Sequence, residues 1–403
     1  MKIYTYWFDL PLYSLVPYIT SRLALETDFE VEAENSIKMA SYVANEPRLR
    51  GRVYIPEVYK ELSSKRVMTA EWIEGVRLWD KDGISAPWKG GHGKGSPGVA
   101  GAPLDAPDRK IVVEKLRNSP QTATFKPDRN AWRGPRGNGG LGLSLKEVMT
   151  TMIDLFSAQM FVWGLVHCDP HPGNIFIRRL PSGHSQLVLI DHGLYIPMSP
   201  GFRKQYAEFW KALLTFDNPT LARISLEWGV RHPDLFASAT LMRPYQGGDR
   251  STERGITTDL EGRTSAERHY EVQQRMFQGI RDVLADESKW PRELIFIGRN
   301  MRIVQGNNQF LGSPVNRIRL TGYWASRALV DAPDLKWRER IANRWGHAKF
   351  EFAMWLTDVV FWISKVRQWL GLGTGMEADM EAQLRVIAKD TFGVELQHDI
   401  FEG

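Results

Sequence analysis

Three side chains between positions 169 and 191 have the types and spacing needed to hold a metal ion beside a reactive group. Asp169 and Asn174 stand five residues apart in one loop, and Asp191 follows seventeen residues after Asn174. Carboxylate and amide oxygens are hard ligands of the kind that Mg²⁺ prefers. An aspartate in a stiff loop can also orient or deprotonate a hydroxyl group. The pattern therefore predicts a site in which Asn174 and Asp191 share one magnesium ion next to Asp169.

The sequence also predicts the elements that would hold this loop. Residues 144–147, Ser-Leu-Lys-Glu, fit a capping box that begins a helix. Gly164 stands where that helix would end in a left-handed residue. Residues 165–166 read as a short buried strand that leads into the loop, and Pro170 and Pro172 fix φ within it. These features predict a rigid loop.

A hairpin is expected beyond the loop. Residues 175–177 and 187–190 are apolar segments typical of strands, and Pro-Ser-Gly at 181–183 would join them. Asn174 directly precedes the first segment and Asp191 directly follows the second. The hairpin would therefore bring both residues to neighbouring strand ends, as a shared metal ion requires.

The same residues resemble a known family. In protein kinases the catalytic loop has an asparagine five residues after its aspartate, and a strand then leads to Asp-Phe-Gly. Here Asp169 and Asn174 keep that spacing, and Asp-His-Gly stands at 191–193. Residues 169–174 and 189–195, Asp-Pro-His-Pro-Gly-Asn and Leu-Ile-Asp-His-Gly-Leu-Tyr, closely resemble the UbiB family of atypical kinases, also called aarF-domain-containing kinases. The second run resembles the mitochondrial lipid-homeostasis branch more than the coenzyme Q branch.

The resemblance extends to both sides of the loop. Residues 26–35 are similar to the family's Glu-x-Asp motif and the αC-type helix after it. Residues 54–75 are similar to its last N-lobe strands and hinge, and residues 311–317 to a stretch late in the C-lobe. By this resemblance Glu26 belongs to the Glu-x-Asp motif, and Glu32 matches the glutamate that normally meets a strand lysine. A solvated acidic face of an amphipathic helix is the alternative interpretation.

The resemblance implies an α+β, atypical protein-kinase-like fold of two lobes, with an incomplete N-lobe and a largely helical C-lobe, that uses ATP and Mg²⁺. Asp169 would be catalytic, orienting or deprotonating an acceptor hydroxyl, or positioning water if the reaction is ATP hydrolysis. Asn174 and Asp191 would bind the metal and the nucleotide, and Glu26 and Glu32 would complete the nucleotide site. A polar turn capped by Asn174 is the structural alternative for the loop.

Three histidines accompany these residues. His167 belongs to the expected catalytic set by its position, and we expect it to anchor the loop by hydrogen bonds rather than to perform the chemistry. No role follows from the sequence for His171 or His192. A zinc site built from these histidines is the rival metal site, although the four-residue spacing of His167 and His171 falls in a proline-containing loop and not in a predicted helix.

The family's Lys-x-Gly-Gln extension, alanine-rich nucleotide loop and strand lysine should all precede Glu26. The residues before Glu26 contain a single lysine, Lys2. We therefore expect an N-terminally truncated family member or an incomplete gene model, without the part that grips phosphate. A mitochondrial presequence would lie in the missing part, so the expected mitochondrial location depends on the resemblance alone.

Composition narrows the class of protein. A chain of 403 residues with 43% hydrophobic and 25% charged residues is ordinary for a globular protein. The net charge of +5 permits contact with nucleotides or anionic mitochondrial membranes, and no cluster of basic residues indicates nucleic-acid binding. A single cysteine, Cys168, excludes a disulfide framework. No apolar run is long enough to predict a transmembrane helix, and no signal peptide is evident.

Residues 85–143 are rich in Gly, Pro, Lys and Arg and predict a flexible insertion. Two formal G-x-G-x-x-G matches occur there, at 93–98 and 137–142. Neither follows a predicted strand, and both come after Glu32, whereas a kinase glycine loop precedes the αC-type helix. We therefore expect neither to bind phosphate.

Helices are expected over 202–214, 267–286, 291–304 and 335–370. The last carries an aromatic stripe with helical spacing. Its members are Phe352, Trp355, Val359, Trp362, Val366 and Trp369. Such a stripe can lie in a membrane interface, but it more often packs on its own domain or on a partner.

Four segments follow: a partial N-lobe at 1–84, the insertion at 85–143, a kinase-like C-lobe at 144–334 and a helical extension at 335–403. Three functions stay open. The first is a Mg²⁺-ATP-dependent phosphotransferase or ATPase in mitochondrial lipid or coenzyme Q homeostasis. The second is a pseudokinase scaffold, and the third is a membrane-surface protein that binds lipid. The sequence indicates no oligomeric state and no physiological acceptor.

Overall fold

The computed structural model describes residues 27–90, 95–99, 136–230, 233–242, 291–330 and 337–370, with isolated positions at 20, 114, 117–118, 133 and 245. Glu26 and the helix expected at 267–286 lie outside the described residues. The α-helices are α1 (Phe29–Asn45), α2 (Lys81–Ser85), α3 (Leu145–Ala158), α4 (Pro200–Thr215), α5 (Asn218–Glu227), α6 (Pro233–Leu241), α7 (Glu293–Phe310), α8 (Arg317–Val330) and α9 (Trp337–Trp369).

Two small sheets accompany the helices. Their strands are β1 (Val53–Tyr54), β2 (Val76–Arg77), β3 (Leu165–His167), β4 (Ile175–Arg179), β5 (Ser185–Leu189) and β6 (Tyr195–Pro197). The larger sheet has the order β1-β5-β4-β2, and β3 pairs with β6 in the smaller one. The β4–β5 pair is the predicted hairpin, with Ile175 opposite Leu189. The pairing of β1 with β5 is parallel. This mixture of helices and small sheets is the expected α+β fold.

Helix α3 lies in the core and leads towards the predicted catalytic loop. Nearly all of its residues from Val148 onward are buried. A π-helical turn, Gln159–Trp163, continues it as far as Gly164, whose φ of 63° is left-handed. Because L-residues with a Cβ rarely adopt this conformation, Gly164 ends the helix as predicted and turns the chain into β3.

The predicted capping box at the start of α3 is wrong. Ser144 holds the N-cap position, but its side chain makes no capping hydrogen bond. Glu147, the expected reciprocal partner, instead accepts from the backbone N–H of Ser185 at 3.0 Å and lies 3.2 Å from His184 Nδ1. The glutamate therefore fastens the helix to β5, because the strand offers a backbone donor within its reach.

Charged side chains join the segment after α1 to helix α8. Arg327 donates to both carboxylate oxygens of the buried Glu46, at 3.0 and 3.1 Å. Asp154 of α3 is also buried, and it accepts from Arg52 at 3.0 Å and from the Trp324 indole at 2.9 Å. Buried carboxylates are costly unless they are paired. These pairs therefore fix α1, α3 and α8 as one body.

The described edges of the predicted insertion pack on the domain. The backbone of Ser96 donates to Arg179 at 2.8 Å. In the second glycine run, Leu141 donates to the carbonyl of Gly83 and Gly142 to that of Ala86, both at 2.8 Å. Backbone N–H groups used in this way are not available to phosphate, which agrees with the expectation for this run. The bounds of the insertion at 85 and 143 stay a prediction.

The aromatic stripe of α9 is largely exposed. Exposed fractions range from 37% at Trp362 to 84% at Trp369. The described part of the domain therefore leaves the stripe exposed, although Phe350, before the stripe, is buried. Packing of the stripe on a partner, or in a membrane interface, stays a prediction. Lys146 places its ammonium 4.1 Å from the centroid of the Trp362 ring. None of the described helices combines the length and apolarity needed to cross a bilayer.

Candidate active site

The predicted catalytic loop begins where β3 ends, at His167, which has no access to solvent. The backbone N–H of His167 donates to Gln159 at 2.9 Å, and its carbonyl accepts from Asn300 at 2.6 Å. Its Nδ1 accepts from the backbone N–H of Asp169 at 3.1 Å, which assigns the ring proton to Nε2. Burial lowers the pKa of His167 to about 3. A neutral imidazole held in this way supports the predicted anchoring role.

Asp169 projects from the loop with its carboxylate partly exposed. Its Oδ1 accepts from Arg299 Nη2 at 3.0 Å. Its Oδ2 makes no hydrogen bond to any residue in the described ranges. Asn174 donates from Nδ2 to the backbone carbonyl of Asp169 at 3.4 Å, which closes the loop. One carboxylate oxygen is thus oriented, and the other can accept a proton from a bound hydroxyl group.

The hairpin brings Asn174 and Asp191 to the same end of the sheet, as the sequence predicts. The backbone N–H of Ile190 donates to the Asn174 carbonyl at 3.0 Å, one step beyond the last strand pair. Asp191 Oδ1 accepts from the backbone N–H of Gly193 at 2.9 Å.

This arrangement leaves Asn174 Oδ1 and Asp191 Oδ2 without a hydrogen-bond partner among the described residues. Two hard oxygens at one strand end fit a magnesium ion that takes its remaining ligands from phosphate and water. The rival zinc site gains no support, since the described residues contain no group of three or more His, Cys, Asp or Glu arranged to hold a metal.

Two side chains of helix α1 bind the backbone of the Asp-His-Gly loop at residues 191–193. Glu32 Oε1 accepts from the backbone N–H of His192 at 3.2 Å, and Asn35 Nδ2 donates to the His192 carbonyl at 3.1 Å. Burial raises the pKa of Glu32, and the nearby Asp191 charge raises it further. A solvated acidic face is therefore wrong for Glu32, which is buried, whereas Glu34 is exposed.

The structure gives His192 the positioning role that the sequence could not supply. Its Nε2 lies 3.1 Å from the Leu189 carbonyl and its Nδ1 lies 3.0 Å from the Tyr195 hydroxyl. Because a carbonyl only accepts, the ring proton is on Nε2 and Tyr195 donates to Nδ1. Burial lowers the pKa of His192 to about 3. The Tyr195 ring also stacks on His167, with 4.9 Å between centroids, so it joins the two loops.

His171 also has a structural role. Its Nδ1 accepts from the backbone N–H of Gly173 at 3.1 Å, and its ring meets Trp79 edge-on. Arg77 of β2 donates to the Gly173 carbonyl at 2.7 Å. Strand β2 therefore supports the loop between Pro170 and Asn174.

Sequence reasoning missed the contribution of helix α7. Asn300 binds the His167 carbonyl, Asn307 donates to the Pro170 carbonyl at 3.2 Å, and Arg299 pairs with Asp169. Asn300 and Asn307 are buried amides seven residues apart, on one face of the helix. Their spacing could have indicated a buried polar face on this helix. Nothing in the sequence shows that this face binds the loop at residues 167–170.

Comparison with known proteins agrees with this geometry. A family model described as the ABC1 atypical kinase-like domain matches residues 1–225. The ABC1 family protein lscO of Purpureocillium lilacinum is 43% identical over 94% of this chain and 57% of its own length. An ABC1 family protein of Schizosaccharomyces pombe is 32% identical over 85% of this chain and 53% of its own.

A further relative is named as a kinase. The AarF domain-containing protein kinase 1 of Xenopus laevis is 26% identical over 89% of this chain and 59% of its own length. The chain thus spans about half the length of the curated relatives it matches. The expected kinase-like α+β fold is confirmed, and the chain belongs to the ABC1 atypical kinase-like family, also known as the UbiB or aarF family.

Proposed function

We propose that the protein binds Mg²⁺-ATP and acts as a phosphotransferase or ATPase. The observation that carries the proposal is the pair of unused oxygens, Asn174 Oδ1 and Asp191 Oδ2, at one end of the hairpin beside the Asp169 loop. A bound magnesium ion would neutralise charge on the phosphates. The names of the relatives support the reaction class.

Each residue of the site would then have a distinct task. Asp169 would accept the proton of an acceptor hydroxyl or of water through Oδ2, the oxygen that does not bind Arg299. Asn174 would hold the loop closed through its amide nitrogen and leave its oxygen for the metal. Glu32 would keep the Asp-His-Gly loop in place through its bond to the His192 backbone.

Thermal unfolding with and without Mg²⁺-ATP tests the proposal. A ligand at a hundred times its Kd stabilises a protein by about 2.7 kcal/mol, so the unfolding temperature should rise measurably. Asp191→Asn should reduce the rise, because the amide can still accept from Gly193 but carries no charge for the metal. Glu34→Gln, on the exposed side of α1, is the matched control.

The same thermal unfolding measurement should be repeated on a longer version of the protein, because the relatives are longer than this chain. A version extended to the length of the relatives should bind at least as well as the 403 residues. If neither version responds to Mg²⁺-ATP, the enzyme proposal fails and the pseudokinase scaffold replaces it. If only the longer version responds, residues of the extension contribute to nucleotide binding.

A membrane-surface role is the second candidate, and the exposed aromatic stripe of α9 favours it. Flotation with liposomes that contain anionic lipid should carry the protein upward. Changing Trp355, Trp362 and Trp369 to Ser should abolish flotation, and unchanged flotation would remove this candidate. We also propose a mitochondrial location and a role in lipid or coenzyme Q homeostasis, because the run Asp-His-Gly-Leu-Tyr resembles the mitochondrial branch of the family. Fractionation of cells tests the location.

A further inference from the structure

Helix α7 presents two different kinds of side chain to the catalytic loop. Asn300 and Asn307 are buried, and both donate to backbone carbonyls of the loop. These two bonds already place the loop relative to the helix. Arg299 instead binds the Asp169 carboxylate, and its side chain is 54% exposed. The two asparagines therefore explain how the loop is held against the helix. The contact of Arg299 with the Asp169 side chain is not needed for that purpose.

The Arg299–Asp169 pair does not account for stability. An ion pair open to solvent contributes little to folding, because water screens the attraction. Only Nη2 of the guanidinium is used, and Asp169 is its one acceptor among the described residues. A guanidinium has five N–H donors in a planar fork that matches phosphate oxygens. Arg299 thus has unused donors beside the Asp169 carboxylate.

A phosphoryl group placed beside Asp169 would bring negative oxygens next to a carboxylate. Such a site needs a cation in addition to the metal. Arg77, the other guanidinium at the loop, donates to the Gly173 carbonyl and lies over the Trp79 and Phe176 rings. Arg299 is therefore the cation on the Asp169 side of the loop within the described ranges.

We propose that Arg299 binds the terminal phosphoryl group of Mg²⁺-ATP. When the nucleotide binds, the guanidinium exchanges Asp169 Oδ1 for a phosphoryl oxygen or bridges the two. Because Asn300 and Asn307 fix the backbone of α7 against the loop, only side-chain torsions of Arg299 must change. This inference rests on the proposed function and adds a phosphate ligand to it.

Calorimetric binding of two nucleotides tests the proposal. The probes are Mg²⁺ with a non-hydrolysable ATP analogue that keeps the terminal phosphate, and Mg²⁺-ADP, which lacks it. Arg299→Gln should weaken the ATP analogue about ten-fold, the loss of one charged hydrogen bond, and leave ADP within about two-fold. Arg299→Lys should lie between, because it keeps the charge and loses the fork. Arg302→Gln, another exposed arginine of α7, is the control and should bind both normally.

The outcomes separate the two proposals. Equal weakening of both nucleotides in Arg299→Gln, or no weakening of either, would overturn the role of Arg299 while Mg²⁺-ATP binding stands. A loss for the ATP analogue that Arg302→Gln shows equally would overturn it as well, since a general effect of surface charge would explain it. If the unaltered protein binds neither nucleotide, the proposed function fails, and the Arg299 proposal fails with it.

Discussion

Glu32 on helix α1 accepts a hydrogen bond from the backbone N–H of His192, 160 positions later in the chain. Asn35 completes the contact by donating to the carbonyl of the same residue. The proposed metal ligand Asp191 directly precedes His192. The position of α1 is therefore coupled, through the backbone of His192, to the position of the proposed metal ligand.

Removing the Glu32 carboxylate should loosen this contact. Glu32→Ala leaves the His192 N–H without its partner, and an unsatisfied buried donor costs about 1–3 kcal/mol. Urea unfolding should show a loss of that size, together with a smaller stabilisation by Mg²⁺-ATP. Glu34→Ala, on the exposed face of the same helix, should stay within about 0.5 kcal/mol of the original. Equal losses in the two variants would contradict the role of the contact.

The raised pKa of Glu32 predicts a dependence of stability on pH. Burial is the main cause, so the folded state holds the proton more tightly than the unfolded state, whose pKa is near 4.5. The contribution is fully present below pH 4.5 and is lost as the pH rises through the folded pKa. Glu32→Gln cannot ionise and keeps an acceptor for His192, so it should gain in relative stability over this range. A constant difference between the two proteins from pH 4 to pH 8 would refute the assignment.

The two buried histidines, His167 and His192, predict a dependence of stability on pH that is opposite in sign to that of Glu32. The pKa values of His167 and His192 are lowered from 6.5 to about 3 by burial. Their contribution is present above pH 6.5 and is lost as the pH falls from 6.5 towards 3, because only the unfolded chain takes up the protons. Each histidine should add about 1.4 kcal/mol per pH unit to the slope. Chemical unfolding between pH 4 and 7 should show a shallower slope in His192→Gln.

Helix α7 offers a matched pair of substitutions with opposite signs. Asn300→Leu removes the donor to the His167 carbonyl and should cost about 1–3 kcal/mol. Gly298→Ala should stabilise by about 0.5–1 kcal/mol, because its Cβ would meet no atom within 4 Å and alanine favours the helix. Thermal unfolding of both variants measures the two effects. Loss of stability in Gly298→Ala would indicate a contact that the open space does not explain.

The sequence predicts the parts of the site that depend on near neighbours. Asn174 and Asp191 lie at the same end of the sheet because one hairpin with a short turn joins their strands. Gly164 ends its helix because glycine readily adopts the left-handed backbone conformation, a property of that residue alone. The predicted capping box was wrong because Glu147 accepts a hydrogen bond from the backbone N–H of Ser185 in β5 instead.

Contacts between distant segments could not be predicted. Arg299 and Asp169 are 130 residues apart, and no periodicity in either segment specifies the other. The family resemblance matched Glu32 to a glutamate that normally meets a strand lysine, and it did not point to His192. In the structure Glu32 accepts from the backbone N–H of His192, and a sequence cannot identify which backbone donor a side chain will meet, because every residue except proline carries one.

The fork between Arg327 and Glu46 joins positions that are 281 residues apart. A ribosome adds about 5–20 residues per second, so Glu46 emerges tens of seconds before its partner exists. During that interval its burial would leave a charge unpaired, which strongly disfavours docking. The segment after α1 should therefore reach its final place only after α8 has been synthesised. The contact of Glu32 with the Asp-His-Gly loop, which depends on the position of α1, should then also form only after α8 has been synthesised.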